Sequence, residues 1–154
     1  MRDMGYGPFE VEQHITAMSR YYAGKIGSRF YIELRDNGKI FGIKCSKCGK
    51  VYWPPRQTCG PCFHDMAESD MVEVGPRGTV LSWTRIEYTS PVMPRKAPFY
   101  YILVKLDGAD GAMIHFLEVE EKQSVKIGML VEPVFANERK GNILDILHFR
   151  PVTE

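Results

Sequence analysis

Cys45-Ser46-Lys47-Cys48 and Cys59-Gly60-Pro61-Cys62 decide how this chain is read. Zinc takes four tetrahedral ligands and binds thiolate well. Two cysteines separated by two residues fit a tight turn, and two such turns facing each other close the coordination shell. Residues 49–58 suffice for a short hairpin that carries the second knuckle opposite the first. Gly49 follows the first pair, where a left-handed backbone is often needed. The expectation is one structural zinc ion held by Cys45, Cys48, Cys59 and Cys62. A rubredoxin-type iron uses the same ligand set and stays open at this point. A redox CxxC would come as a single pair at a helix start, and disulfides need an oxidising compartment.

These four are all the cysteines of the chain, so none is left to act as a nucleophile. A closed four-thiolate site also lacks an open position for substrate, which makes it structural rather than catalytic. Structural zinc in isolated fingers is worth about 10–16 kcal/mol, a large contribution for a segment with few big apolar residues of its own.

The bulk composition fits a globular protein. The 154 residues are 44% hydrophobic and 25% charged, with a net charge of +1, and that near-balance counts against non-specific nucleic-acid binding. No signal-peptide core follows Met1, and no run approaches the length of a membrane span. A reducing cytoplasm is the expected compartment, with no membrane partner.

Outward from the cysteines the pattern divides the chain into residues 1–27, 28–74 and 75–154. Val11, Ile15, Met18 and Tyr22 fall on one helical face, which predicts a helix over 10–22 ended by Gly24 and Gly27. Phe30, Ile32 and Leu34 alternate with Tyr31, Glu33 and Arg35, and Asn37-Gly38 follows. That reads as a hairpin leading to Ile40, Phe41 and Ile43; a short helix over 28–35 is the competing reading. After Gly75, candidate strands cover 79–88, 100–106, 112–119, 129–136 and 143–149, separated by turn-forming residues. Five short strands fit a small antiparallel barrel, and five is the strand count of the OB-fold.

The knuckles with Val51-Tyr52-Trp53-Pro54-Pro55-Arg56, then Gly78-Thr79-Val80-Leu81-Ser82-Trp83-Thr84 and Phe149-Arg150-Pro151, resemble a family long catalogued as a domain of unknown function. Its members join a rubredoxin-like zinc ribbon to an OB-fold. The likeness runs from about Tyr21 to Pro151. One departure is Cys59-Gly60-Pro61-Cys62, where the family more often has proline directly after the third cysteine; metal binding should survive it. The resemblance implies a mainly β chain: an N-terminal helix, the ribbon, then a five-stranded OB barrel. It implies a non-catalytic partner of a thiolase-superfamily large subunit, supporting acyl-CoA cleavage or transfer, with CoA shared between the chains. The small subunit of a benzoylsuccinyl-CoA thiolase is the particular expectation. The alternatives are a nucleic-acid-binding OB/zinc-ribbon protein and an iron-bearing electron carrier.

Other residues carry less chemistry. His14, His64, His115 and His148 are scattered without a triad, although His64 could stand in as a metal ligand. Arg56 either reaches a phosphate of CoA or stacks on Tyr52 and Trp53. In residues 89–98, three prolines bar the loop from a ladder. There Val92 and Met93 offer apolar anchors, while Arg95 and Lys96 offer charge to a partner or to CoA. Trp83 and Tyr88 are read as core or groove and are assigned to no ligand.

Overall fold

The computed structural model describes residues 19–91, 93–120 and 124–152. One helix, α1 (Gly24–Asn37), precedes β1 (Phe41–Lys44), β2 (Val51–Tyr52) and β3 (Met71–Glu73). These strands form an antiparallel sheet in the order β2-β1-β3. Next come β4 (Gly78–Ile86), β5 (Phe99–Leu106), β6 (Met113–Leu117), β7 (Leu130–Phe135) and β8 (Ile146–Pro151). They close a barrel in the order β4-β5-β6-β8-β7, with β6 and β8 parallel. The expected mainly β chain with an OB-fold barrel is what forms.

Ahead of the cysteines one expectation lies largely outside the described residues and another is overturned. The helix over 10–22 lies outside the described residues except for residues 19–22, which are not helical. Gly24 and Gly27 do not end a helix; they lie in the first turn of α1. The hairpin over 28–43 is not formed, and the competing helical reading holds. Alternation of Phe30, Ile32 and Leu34 was only half of the pattern. Ile26, Phe30, Glu33 and Leu34 are the buried positions, a spacing of four, three and one that lines one helical face, while Ile32 is left exposed. Asn37-Gly38 is a helix stop and not a hairpin turn. Gly38 sits at φ 61 and its N–H donates to the Glu33 carbonyl. A C-terminal cap and a tight hairpin both require a positive φ, so the dipeptide alone could not separate them.

Ribbon and barrel share one core. Phe30, Leu34, Ile40 and Trp53 pack in the same cluster as Val80, Ile102, Val104, Leu106, Leu117, Val131, Ile146 and Phe149. Polar clips align the two parts. Val51 donates its N–H to Asp110 Oδ2 at 2.8 Å, and Asp110 N–H donates to the Val51 carbonyl at 2.8 Å. The β5–β6 turn thereby continues the ladder of β2. At the other end, the 138–142 loop lies against α1, with Arg139 Nε donating to the Arg35 carbonyl at 2.7 Å. Asp145, 2% exposed, holds that loop by accepting from the backbone N–H groups of Lys140 (2.8 Å), Gly141 (2.6 Å) and Asn142 (3.2 Å).

Replacing Asp145 by Ala leaves those N–H groups without an acceptor, and should lower the unfolding free energy by about 3 kcal/mol. Asp110→Ala, at an exposed position, should cost only about 1 kcal/mol. Urea denaturation of the two variants checks the ranking; equal losses would refute it.

Candidate metal centre

The two knuckles are built alike. In the first, Cys45 N–H donates to the Lys50 carbonyl (2.8 Å) and Gly49 N–H to the Cys45 carbonyl (2.8 Å). In the second, Cys59 N–H donates to the His64 carbonyl (2.9 Å) and Phe63 N–H to the Cys59 carbonyl (2.9 Å). Each turn thus repeats the same bonds four and five residues on. The residue after each second cysteine takes the left-handed conformation: Gly49 at φ 76 and Phe63 at φ 50. Glycine adopts this freely, whereas a side chain there costs about 1–2 kcal/mol. Phe63 also leaves its ring 82% exposed. Sequence reasoning found the glycine and missed its counterpart; the signal available was position, directly after the fourth cysteine.

The four Sγ atoms all lie within 4.8 Å of one another. Cys45–Cys62 is 3.5 Å, Cys48–Cys59 3.6 Å and Cys59–Cys62 3.1 Å. Sulfurs about 2.3 Å from a tetrahedral zinc are separated by about 3.8 Å, so the donor set fits such an ion. Cys45 and Cys59 are buried, Cys62 is half-buried and Cys48 is exposed, which leaves one side of the cluster near solvent. Ile26, Ile43 and Met66 pack behind it.

A neighbouring hydroxyl favours the thiolate form of Cys59. The Tyr52 hydroxyl lies 3.1 Å from Cys59 Sγ and, donating to it, holds that thiol down at about 6. The same bond raises the Tyr52 hydroxyl to about 12. Cys62 is raised, chiefly through its contact with the Cys59 sulfur, because adjoining sulfurs do not readily share negative charge without a cation. His64 is not in the cluster; its Nε2 lies 2.8 Å from Ser46 Oγ and ties the knuckles together. Arg56 stacks on the Tyr52 ring, 4.6 Å from ring centre to guanidinium carbon.

The 89–98 loop lies elsewhere, over the barrel. Arg95 is half-buried, stacks on Phe116 (5.2 Å) and pairs with Glu118 Oε2 at 2.8 Å. The same carboxylate oxygen is 3.2 Å from His148 Nδ1. Arg95 and Glu118 stand between a cleft of ≈ 680 Å³, lined also by Arg85, Tyr100 and Glu120, and a second of ≈ 350 Å³ bounded by Phe116, Leu144, Leu147 and His148. Met93 is half-buried and Lys96 exposed, while Val92 lies outside the described residues. Glu118 was not singled out from the sequence, and a lone carboxylate beyond a strand gives no signal that it meets both Arg95 and His148.

Neither described strand histidine is placed as a free base. His115, 4% exposed, accepts the Phe116 N–H on Nδ1 at 2.9 Å and faces the Ile143 carbonyl through Nε2 at 3.3 Å. Burial lowers its pKa, and burial also lowers that of His148 against the pull of Glu118. No described helix is long and apolar enough to cross a membrane.

A zinc-ribbon sheet carrying four gathered cysteines and docked on an OB barrel defines the class. A family model described as the rubredoxin-like zinc ribbon domain of ChsH2 matches residues 33–65. A second, the C-terminal OB-fold domain of ChsH2, matches residues 71–136. This chain belongs to the DUF35 family, in which that ribbon and that barrel are joined. It is 28% identical over 112 residues to a DUF35 domain-containing scaffold protein of Methanocaldococcus jannaschii, covering 72% of this chain and 77% of the relative. A scaffold protein of the same description from Methanothermobacter thermautotrophicus is 28% identical over 119 residues, 74% of this chain and 87% of that one. Among solved structures, a DUF35 protein of unknown function from Sulfolobus solfataricus is 29% identical with a TM-score of 0.58, covering 72% of this chain and 78% of that one. An Ltp2-ChsH2(DUF35) aldolase chain is 24% identical with a TM-score of 0.57, covering 80% and 93%, and shares the fold.

Phe63→Gly should raise stability by about 1 kcal/mol by removing the left-handed strain, with metal content unchanged. Thermal unfolding together with metal analysis checks both halves. For the histidines the sign follows from their lowered folded values: the unfolded chain takes up protons first as the pH falls below 6.5. Their contribution to stability should therefore be whole above that pH and be lost progressively below it. Urea titrations between neutral and mildly acid pH should show less of this loss in His115→Gln than in the wild type; an identical slope would refute the assignment.

Proposed function

We propose that this chain is a non-catalytic scaffold subunit that carries one zinc ion and assembles with a thiolase-superfamily enzyme. In that complex it supports acyl-CoA cleavage or transfer, benzoylsuccinyl-CoA thiolysis being the particular reaction. The observation that carries the reading is the fate of the sulfur. All four cysteines of the chain gather in one cluster, so a cysteine nucleophile for thiolysis must come from another polypeptide. The description of two relatives as scaffold proteins supports it, as does the occurrence of this fold in a two-component aldolase.

Zinc fits the donor set as Cys45, Cys48, Cys59 and Cys62 present it. The ion would compensate the thiolates and join the two knuckles of the ribbon. Met93, Arg95 and Lys96 on the 89–98 loop are the proposed contacts to the partner or to CoA. Arg95 would engage an incoming anion by exchanging Glu118 for it, since a guanidinium held by one exposed carboxylate is a weakly committed cation. Arg56 would contribute as a rim charge while keeping its stack on Tyr52. The nucleic-acid alternative gains little: Arg85 and Arg95, the cations at the larger cleft, are paired with Glu87 and Glu118, which removes the charge a phosphate backbone would need. Cytoplasmic residence is part of the proposal, because the thiolates require reducing conditions.

Purified alone, the chain should contain one zinc per molecule, be colourless, and show no thiolysis of an acyl-CoA. Co-expressed with the large subunit, it should co-purify with it and be required for turnover. Thiolysis at full rate by the lone chain would overturn the subunit reading, and a red preparation would replace zinc by iron. Arg95→Ala should weaken complex formation about tenfold or more, as loss of a central arginine anchor does, with zinc content unaltered.

A further inference from the structure

The two knuckles repeat each other in backbone but not in surroundings. Cys45 and Cys59 open them and are both buried; Cys48 and Cys62 close them, the first exposed and the second half-buried. The backbone N–H of Lys50 reaches Cys48 Sγ and that of His64 reaches Cys62 Sγ, the same bond two residues on in each turn. One group breaks the repeat. The Tyr52 hydroxyl lies 3.1 Å from Cys59 Sγ, and among the described residues no hydroxyl stands at the equivalent sulfur of Cys45. A thiolate that ligates an ion has no proton to give, so the bond runs from O–H to sulfur.

Two contacts set that hydroxyl in place. Tyr52 stands opposite Ile43 in the β1–β2 ladder, which fixes its backbone. The Arg56 guanidinium lies over its ring at 4.6 Å, which holds the side chain. Groups that hydrogen-bond to a ligand atom orient it and tune its hold on a metal. Sulfur charge engaged by an O–H donor is also less available to an attacking carbon, and a buried sulfur lies out of its reach. Cys59 has both protections. Cys48 has neither.

We infer that Tyr52 is a positioning residue that makes Cys59 the anchoring ligand of the metal site, and that Cys48 is the labile ligand, the sulfur to which a soft electrophile adds first. With a maleimide the step forms one bond from Cys48 Sγ to carbon and breaks the C=C π bond. A proton from water goes to the neighbouring carbon. The resulting thioether is neutral and has lost the thiolate character that zinc requires, so modification of Cys48 should go together with loss of zinc. Both roles rest on the zinc reading given above.

The test uses the full chain loaded with zinc. After a substoichiometric amount of N-ethylmaleimide, peptide mass spectrometry should find the adduct chiefly on Cys48. Tyr52→Phe keeps the ring under Arg56 and removes only the hydroxyl. Its zinc affinity, measured against a chromophoric chelator, should be about tenfold or more weaker than that of the wild type. Cobalt(II) loaded in place of zinc gives a readout that a loss of packing would not. The sulfur lone pairs rise in energy when the donor is lost, so the thiolate-to-cobalt charge-transfer absorption of Tyr52→Phe should move to longer wavelength. The ligand-field bands of tetrahedral cobalt should stay in place. A first adduct on Cys45, Cys59 or Cys62 overturns the inference, as does an unchanged affinity or an unmoved charge-transfer band. A chain that takes up neither zinc nor cobalt overturns it together with the zinc reading, and metal analysis before any reagent is added tells that failure from the others.

Discussion

Four sulfur atoms held within 4.8 Å of one another are the constraint on which the rest of the ribbon depends. Thiolates at such distances repel, and protonated thiols give each other little cohesion. A cation bound among them would make the arrangement favourable. Everything local serves that cluster: two turns with the same hydrogen bonds, a tyrosine hydroxyl directed at Cys59, and the Ser46–His64 contact between the knuckles. The ribbon sheet itself is slight, with β2 only two residues long. A sheet that small does not stand by its own ladder.

The second support is the barrel. Trp53 and the buried face of α1 enter the same core as the barrel strands, and Asp110 extends the β2 ladder from the β5–β6 turn. A displacement of the ribbon would therefore expose apolar surface on both parts at once. The cysteine cluster is fixed with respect to the OB-fold, although none of its cysteines belongs to the barrel. A rigid attachment of this kind suits a subunit whose work is to hold surfaces in a set relation, and it places the chemistry of the four sulfurs in structure.

How much was legible in the sequence follows from the range of each interaction. The cysteine cluster was readable because its spacing is local: two residues between cysteines make a turn whatever surrounds it. The barrel strands were readable because alternation has a period of two, and their boundaries moved by a few residues at most, as where Ile143–Asp145 became a short 3₁₀ turn before β8. The segment 28–43 was misread because its signals serve two structures. Phe30 and Leu34 fit a strand as every second residue and a helix as every fourth, and Asn37-Gly38 can close either. What chose the helix was a hydrophobic surface supplied by barrel strands far along the chain.

The sequence by itself determined the two cysteine knuckles, the order of ribbon and barrel, and the absence of any cysteine outside the knuckles, since each is a matter of residue identity or near-neighbour spacing. Only the tertiary structure decided that α1 is a helix, that Asp110 and Arg139 join distant segments, that Phe63 bears a left-handed backbone, and that Arg95 rests on Glu118 and Phe116. Those contacts join positions separated by tens of residues, and no local pattern encodes which surface a side chain will meet once the chain has folded.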